Sequence, residues 1–184
     1  MDQSLIVNRR TGQRMRFDDP GGGDHPVAQE PRQTLRIECW SPTSDEREPN
    51  HTHPEQVSGF QVISGELAFW VDGKEFRAGP GETVTVPADT NHRFWNPTDT
   101  EAHYVGTFTP ALDTRGFFEV LFRLANEGKL GKGGMPQPLH LPVLFRAFGR
   151  EIRPTSPPWP VTRLAIAALA PVAALRGYRD PADL

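Results

Sequence analysis

Short runs of alternating apolar and polar residues dominate the first 110 positions of the chain. Leu35, Ile37 and Cys39, for example, alternate with polar neighbours, which is the pattern of a half-buried strand. Several more short runs follow, separated by turns rich in glycine, proline and aspartate. These further predicted strands cover residues 57–63, 67–71, 75–77, 83–86, 92–95 and 103–109. Many short strands joined by tight turns predict an antiparallel sandwich or barrel.

Two short strands, residues 4–7 and 13–17, are predicted to precede this region. Leading strands of this kind pair with a sheet edge of their own chain or of a second copy. A glycine- and proline-rich stretch at residues 18–31 then predicts a loop. His25 lies in this loop and is interpreted as a solvated residue rather than a ligand.

After Pro110 the apolar spacing changes from two residues to three and four, which predicts helices. The first follows a cap at Asp113 or Thr114, the second spans residues 141–148, and the third spans residues 164–175. The third has no charge, but its length of about 18 Å is too short for a bilayer core of about 30 Å. It is expected to pack on the barrel or on a second subunit, with binding at a membrane interface as the alternative.

Composition narrows the class of protein. At 184 residues the chain suits one domain, and its net charge of −3 with a pI near 6.1 argues against a nucleic-acid-binding surface. The single cysteine, Cys39, cannot form an internal disulfide, and no leader pattern opens the sequence. We therefore expect a cytoplasmic protein that binds no nucleic acid.

Three histidines predict a metal site. His51 and His53 are two residues apart on an extended segment, so their side chains point to the same face. His92 begins another predicted strand after the turn at Pro87. Neutral imidazoles suit divalent iron, zinc, nickel, copper and manganese. We expect one such ion, with iron favoured and the other four as alternatives.

At these residues the sequence resembles the cupin superfamily, whose two motifs combine His-x-His with a later histidine at fixed spacings. The matching residues are His51, His53, Gly65, Gly81, Pro87, His92 and Asn96. The resemblance covers roughly residues 33–110. It implies an all-β fold, a double-stranded β-helix or jelly-roll barrel, here followed by about three C-terminal α-helices. The expected division is N-terminal strands and loop at 1–32, barrel at 33–110 and helical extension at 111–184.

Three positions depart from the family pattern. Asp45 and Asp89 replace glycines, which is tolerable because aspartate accepts turn geometry. Ser58 stands where the family has a metal-binding glutamate, so the ion would be held by three neutral nitrogens. Thiol dioxygenases and diketone-cleaving dioxygenases are similar cupins that use three histidines alone; the alternative is that Ser58 marks the loss of tight metal binding.

Nearby polar residues could assist the site. Glu55 and Gln56 are close enough in sequence to substitute for the missing ligand, although they could equally form a solvated turn. His103 on the last predicted strand is a candidate for a residue that orients the metal-binding histidines by a hydrogen bond.

A mainly apolar pocket is expected inside the barrel, because aromatic and aliphatic residues share the inward parity of the strands. The predicted lining residues are Ser58, Phe60, Val62, Phe69 and Phe94. Most of these side chains are first of all barrel core. Their number favours a small, partly apolar or aromatic ligand.

The resemblance implies a metal-dependent, dioxygenase-like oxidoreductase that acts on such a molecule. Two alternatives remain open at this point: a non-catalytic small-molecule-binding or sensing cupin, and a metal-free isomerase- or epimerase-like cupin in which His51 or His53 serves as base. By analogy with cupins of this size, a homodimer is expected.

Overall fold

The structure is a computed structural model that describes residues 5–18, 33–43 and 47–184. Most of the predicted loop at 18–31 lies outside these ranges, and so do His25, Asp45 and the first residue of the strand predicted at 4–7.

Two antiparallel sheets make up the body of the molecule. The strands are β1 (Leu5–Val7), β2 (Arg14–Asp18), β3 (Leu35–Ser41), β4 (His51–Thr52), β5 (Val57–Ser64), β6 (Leu67–Val71), β7 (Lys74–Ala78), β8 (Thr83–Val86), β9 (His92–Trp95), β10 (Ala102–Thr109) and β11 (Arg153–Pro154). One sheet has the order β1-β2-β3-β10-β5-β8, and the other has the order β11-β4-β9-β6-β7. This arrangement confirms the predicted jelly-roll barrel, since from β3 to β10 the chain passes back and forth between the two sheets, apart from the β6–β7 hairpin.

The core lies between the two sheets and follows from the alternation along the strands. In β5, Phe60 and Val62 are buried whereas Gln61 and Ile63 are exposed. Phe60 meets Phe69 of the opposite sheet with ring centroids 5.3 Å apart. The inward residues of both sheets therefore form one continuous apolar cluster.

Three helices follow the barrel, as predicted: α1 (Thr114–Asn126), α2 (Leu141–Phe148) and α3 (Trp159–Leu175). Asp113 caps α1 by accepting a hydrogen bond from the Gly116 amide. The third helix begins at Trp159 rather than at residue 164, because Pro160 fits the first turn of a helix. Leu124 of α1 and Leu144 of α2 belong to a second apolar cluster outside the barrel.

The helical extension is joined to the barrel by a strand that the sequence did not predict. Arg153 and Pro154, between α2 and α3, form β11 and pair with Thr52 and His51 of β4. Proline is acceptable there because β11 is an edge strand, where a missing N–H costs no ladder bond.

The third helix is covered on only part of its surface. Thr162 and Ala173 are buried, whereas Leu164 and Leu175 are 73% and 88% exposed. Within the described ranges, no helix combines the length and the apolar character needed to cross a membrane.

Candidate metal centre

The three predicted histidines meet at one end of the barrel. His51 of β4 lies directly opposite His92 of β9 in the antiparallel ladder, and His53 follows two residues after His51. The ring centroids are 4.5 Å apart for His51 and His92, 5.0 Å for His51 and His53, and 5.1 Å for His53 and His92. One ligand nitrogen from each ring lies within 4.8 Å of the other two.

Backbone carbonyls fix the tautomer of all three rings. Nδ1 of His51 lies 3.0 Å from the Pro49 carbonyl oxygen, and Nδ1 of His92 lies 2.8 Å from that of Thr90. Nδ1 of His53 lies 2.6 Å from the carbonyl oxygen of Glu151, 98 residues further along the chain. A carbonyl oxygen can only accept, so each Nδ1 carries the proton and each Nε2 presents a lone pair.

The rings are kept neutral by their surroundings. Burial lowers the pKa of His51, and it lowers the pKa of His53 well below its usual value, with His51 adding to the effect. Burial also lowers the pKa of His92 to about 4, again with a contribution from His51. At neutral pH all three imidazoles are therefore in the form that binds a metal ion.

These residues fit a divalent transition metal. The three side chains are at least 93% buried, and Nε2 of His92 has no hydrogen-bond partner among the described residues. A buried nitrogen lone pair without a partner is costly unless a ligand satisfies it. The donor set is neutral, so the charge of a bound ion would be compensated only by a further ligand or a nearby carboxylate.

Ser58, at the family's glutamate position, is fully buried in β5. It lies opposite Phe108 of β10, whose ring contacts His53 at a centroid distance of 5.2 Å. Its hydroxyl has no hydrogen-bond partner within the described part of the chain. The substitution therefore leaves a small polar group near the histidines instead of a carboxylate.

The two residues considered as substitute ligands lie elsewhere. Glu55 is exposed, and its carboxylate accepts hydrogen bonds from Arg150 at 2.7–3.1 Å. Gln56 is fully buried, but its amide nitrogen donates to the Pro110 carbonyl and to the Thr114 hydroxyl. Gln56 thus joins the end of the barrel to the start of α1.

His103 is also separate from the three histidines. Its Nε2 lies 2.8 Å from the Glu38 carboxylate, and its ring stacks on Trp40 at a centroid distance of 4.9 Å. The neighbouring Tyr104 is buried in the core, and residues that follow one another on a strand point to opposite faces. His103 therefore lies on the outer side of the sheet, where it does not support the ligands.

A cavity of about 270 Å³ reaches from His51 and His53 into the space between the barrel and the extension. Of the predicted pocket residues, Phe60 and Phe94 line it; Ser58, Val62 and Phe69 are buried in the barrel without lining it. The strand parity was correct for all five, but parity alone does not show where the barrel interior is already filled. Much of the wall comes from the extension, through Phe117, Leu121, Leu141, Leu144 and Phe145.

Sequence reasoning overlooked Glu48, the one carboxylate among the described residues that line the cavity. Its half-buried side chain lines the cavity, and Oε1 accepts a hydrogen bond from the Phe94 amide at 3.3 Å. Burial raises the pKa of Glu48 to about 7, although the nearby His92 opposes the shift. Its place in the polar run before β4 gave no periodic signal, since the run has no strand alternation.

Asp89 shows why one departure from the family pattern is harmless. It adopts a φ of 56°, the left-handed region that favours glycine but that aspartate also tolerates. From there its amide donates to the His53 carbonyl at 2.8 Å. The turn after β8 thus retains its shape and holds the backbone of a ligand.

Comparison with known proteins agrees with this fold. The sequence model of the cupin domain matches residues 42–108, the part of the chain that holds all three histidines. Together with the jelly-roll topology, this match identifies residues 42–108 as a cupin domain.

One curated relative is quercetin 2,3-dioxygenase of Bacillus subtilis, 32% identical over 94 residues. The match covers 50% of this chain, and the chain spans only 25% of that relative's length.

Two solved structures are also similar. An RmlC-like cupin from Shewanella frigidimarina has a TM-score of 0.47 at 22% identity, over 62% of this chain and 90% of that one. A sugar phosphate isomerase of the cupin superfamily from Silicibacter pomeroyi has a TM-score of 0.46 at 24% identity, over 56% and 62% of the two chains.

Proposed function

We propose that the protein is a metal-dependent, dioxygenase-like enzyme that acts on a small, partly apolar organic molecule. In this proposal His51, His53 and His92 hold one divalent transition metal, with iron favoured. The observation that carries it is the convergence of three neutral imidazoles, each with its proton committed to a carbonyl, beside a largely apolar cavity.

The metal would supply Lewis acidity and, if iron, activation of dioxygen, with coordination positions left open beside the three nitrogens. The protein's own residues supply the binding site. Phe60 and Phe94 offer flat apolar surfaces to a substrate, and Phe117 and Phe145 of the extension cover it from the other side. Such walls exclude bulk water from the reacting atoms.

The relative named above supports the choice of reaction class. It is a dioxygenase, and the similarity is a sequence match at 32% identity. The three-histidine set without a carboxylate fits oxygenase chemistry because it leaves room for both substrate and dioxygen.

Ligand binding without catalysis is the second candidate. The observation that favours it is the large share of the cavity wall contributed by α1 and α2. A bound molecule would contact these helices directly and could change their position. A cupin of this kind would bind its ligand whether or not iron and oxygen were present.

Metal analysis and oxygen uptake test the proposal. Protein purified without an affinity tag is expected to hold about one divalent ion per chain. Iron-loaded protein is expected to consume oxygen with one member of a panel of quercetin, thiols and diketones, whereas zinc-loaded protein is not. Protein that binds a panel member but takes up no metal would overturn the proposal and favour the second candidate.

The homodimer is likewise a proposal. The edge strand β1 leaves Leu5 and Val7 50% and 38% exposed, which is unusual for an edge that stays unpaired. Sedimentation analysis of the wild type and of a Leu5→Lys variant tests it. Dimers in the first and monomers in the second are expected; monomers in both would contradict the proposal.

A further inference from the structure

Among the described residues that line the cavity, Glu48 is the only one with a carboxylate. It is held by the amide of Phe94, two residues beyond His92 on β9. Glu48 is not part of the group of mutually close ligand atoms formed by the three histidines. The carboxylate therefore faces the cavity and stands outside the group that would hold the metal ion.

Apart from the guanidinium groups of Arg10 and Arg47, the other titratable side chains along the cavity are Cys39, Tyr104, His51 and His53. None of these four is suited to exchange a proton near neutral pH. Burial raises the pKa of Cys39 to about 12 and that of Tyr104 well above its usual value. The imidazoles have one nitrogen committed to a carbonyl and the other turned to the metal position.

Charge balance indicates what kind of group Glu48 would act on. Three neutral ligands leave the charge of a divalent ion uncompensated, which favours an anionic oxygen as the next ligand. An anion carried into an apolar cavity is costly unless the charge is paired. Transfer of a proton from a neutral hydroxyl to a carboxylate inside the cavity produces the anionic oxygen without adding net charge.

We propose that Glu48 is the acid–base residue of this cavity and that the substrate class is small, largely apolar molecules with an ionisable phenol or enol hydroxyl. This inference rests on the proposed metal-binding function. In the step, the substrate O–H bond breaks, its electron pair stays on the substrate oxygen, and the proton forms an O–H bond on the Glu48 carboxylate. No oxidant or reductant takes part.

Proton counting during ligand binding tests this role without turnover. Zinc-loaded protein is titrated with catechol at pH 7.5, where free catechol is protonated, by calorimetry in buffers of different ionisation enthalpy. Ultraviolet difference spectra show whether the bound catechol is ionised. In the wild type, ionised catechol should bind with almost no proton released, because Glu48 keeps it.

Glu48→Gln is the informative variant, since the amide has the same shape and cannot accept the proton. It should release about one proton per catechol bound. Glu55→Gln makes the same change on an exposed carboxylate outside the cavity and should behave as the wild type does. Zinc content, measured for all three proteins, shows that the variants fold and keep the metal.

The outcomes separate the two levels of the proposal. Wild-type protein that takes up no zinc contradicts the proposed function itself. If the zinc-loaded wild type and the zinc-loaded Glu48→Gln variant release equal numbers of protons, the role of Glu48 is contradicted. The proposed metal site is not affected by that result. Zinc-loaded wild type that fails to bind catechol, or binds it un-ionised, contradicts the substrate class.

Discussion

The barrel and the C-terminal extension contribute to the same site in different ways. The barrel supplies the three histidines from a short span of sequence: His51 and His92 lie on paired strands, and His53 directly follows β4. The extension supplies none of them, but the Glu151 carbonyl orients His53, β11 pairs with β4, and helices α1 and α2 wall the cavity. Which residues can bind the metal is thus decided within a short segment of the sequence. The orientation of these residues and the shape of the cavity depend on contacts between distant parts of the chain.

The largest expected effect comes from a change in the barrel's own contribution. His92→Ala removes one of three nitrogens and should weaken zinc binding by more than about 100-fold, because loss of a mere hydrogen-bond partner of a ligand already costs about 10- to 100-fold. Competition with a chromophoric chelator measures the affinity. His103→Ala, on the outer face of the same barrel, is the matched control and should bind zinc as the wild type does. Equal zinc affinities in the two variants would show that His92 is not a metal ligand.

Acid should destabilise the metal-free protein through the same residues. The pKa of His92 is about 4 in the folded state and about 6.5 when unfolded, so the unfolded state binds more protons between these values. Stability should therefore fall as pH drops from about 6.5 to about 4, with His92 alone contributing on the order of 3 kcal/mol. Glu48 acts in the opposite direction, because its raised pKa favours the folded state at low pH, but three histidines outweigh one carboxyl.

Urea unfolding in the presence of a chelator at several pH values checks this expectation. His92→Gln should flatten the pH dependence, since it removes one of the groups that titrate. A stability that does not change between pH 6.5 and pH 4 would show that the rings are not held in the neutral form.

The difference between barrel and extension also explains which features could be predicted from the sequence. The strands of the barrel, the shared face of His51 and His53, and the Asp-Gly turn between β6 and β7 follow from short-range periodicity, and the structure has them. The pairing of β11 with β4 and the bond from His53 to Glu151 join residues about 100 positions apart, where no periodic signal exists. Glu48 lies in an irregular segment, so only the folded chain shows that it faces the cavity.

The junction between the two regions can be weakened at Gln56. Its amide nitrogen donates to the carbonyls of Pro110 and Ala111 and to the Thr114 hydroxyl, all where the barrel meets α1. Gln56→Ala should lower the free energy of unfolding by about 2 kcal/mol, because the Pro110 carbonyl oxygen and the Thr114 hydroxyl lose their amide donor. Gln61→Ala, on the exposed face of the same strand, should change it by less than about 0.5 kcal/mol.

Thermal and urea unfolding of the two glutamine variants provide the comparison. A Gln56→Ala protein as stable as the Gln61→Ala protein would mean that the hydrogen bonds of Gln56 do not stabilise the junction.

The smallest effect is expected at Ser58. Its buried hydroxyl has no partner among the described residues, so Ser58→Ala should leave stability unchanged or raise it by about 1 kcal/mol. Zinc affinity should stay the same, because three imidazoles already form the donor set. Ser64→Ala, at the exposed end of the same strand, is the control. A clear loss of zinc affinity in Ser58→Ala alone would make the hydroxyl a fourth ligand.

X-ray absorption spectroscopy of zinc- or iron-loaded wild-type protein tests the metal centre most directly. The expected spectrum has about three imidazole nitrogens at about 2.0–2.1 Å, with any remaining positions filled by light atoms such as water oxygen. A spectrum with fewer than two imidazole nitrogens, or a protein that takes up no ion at all, would contradict the assignment of His51, His53 and His92 as metal ligands.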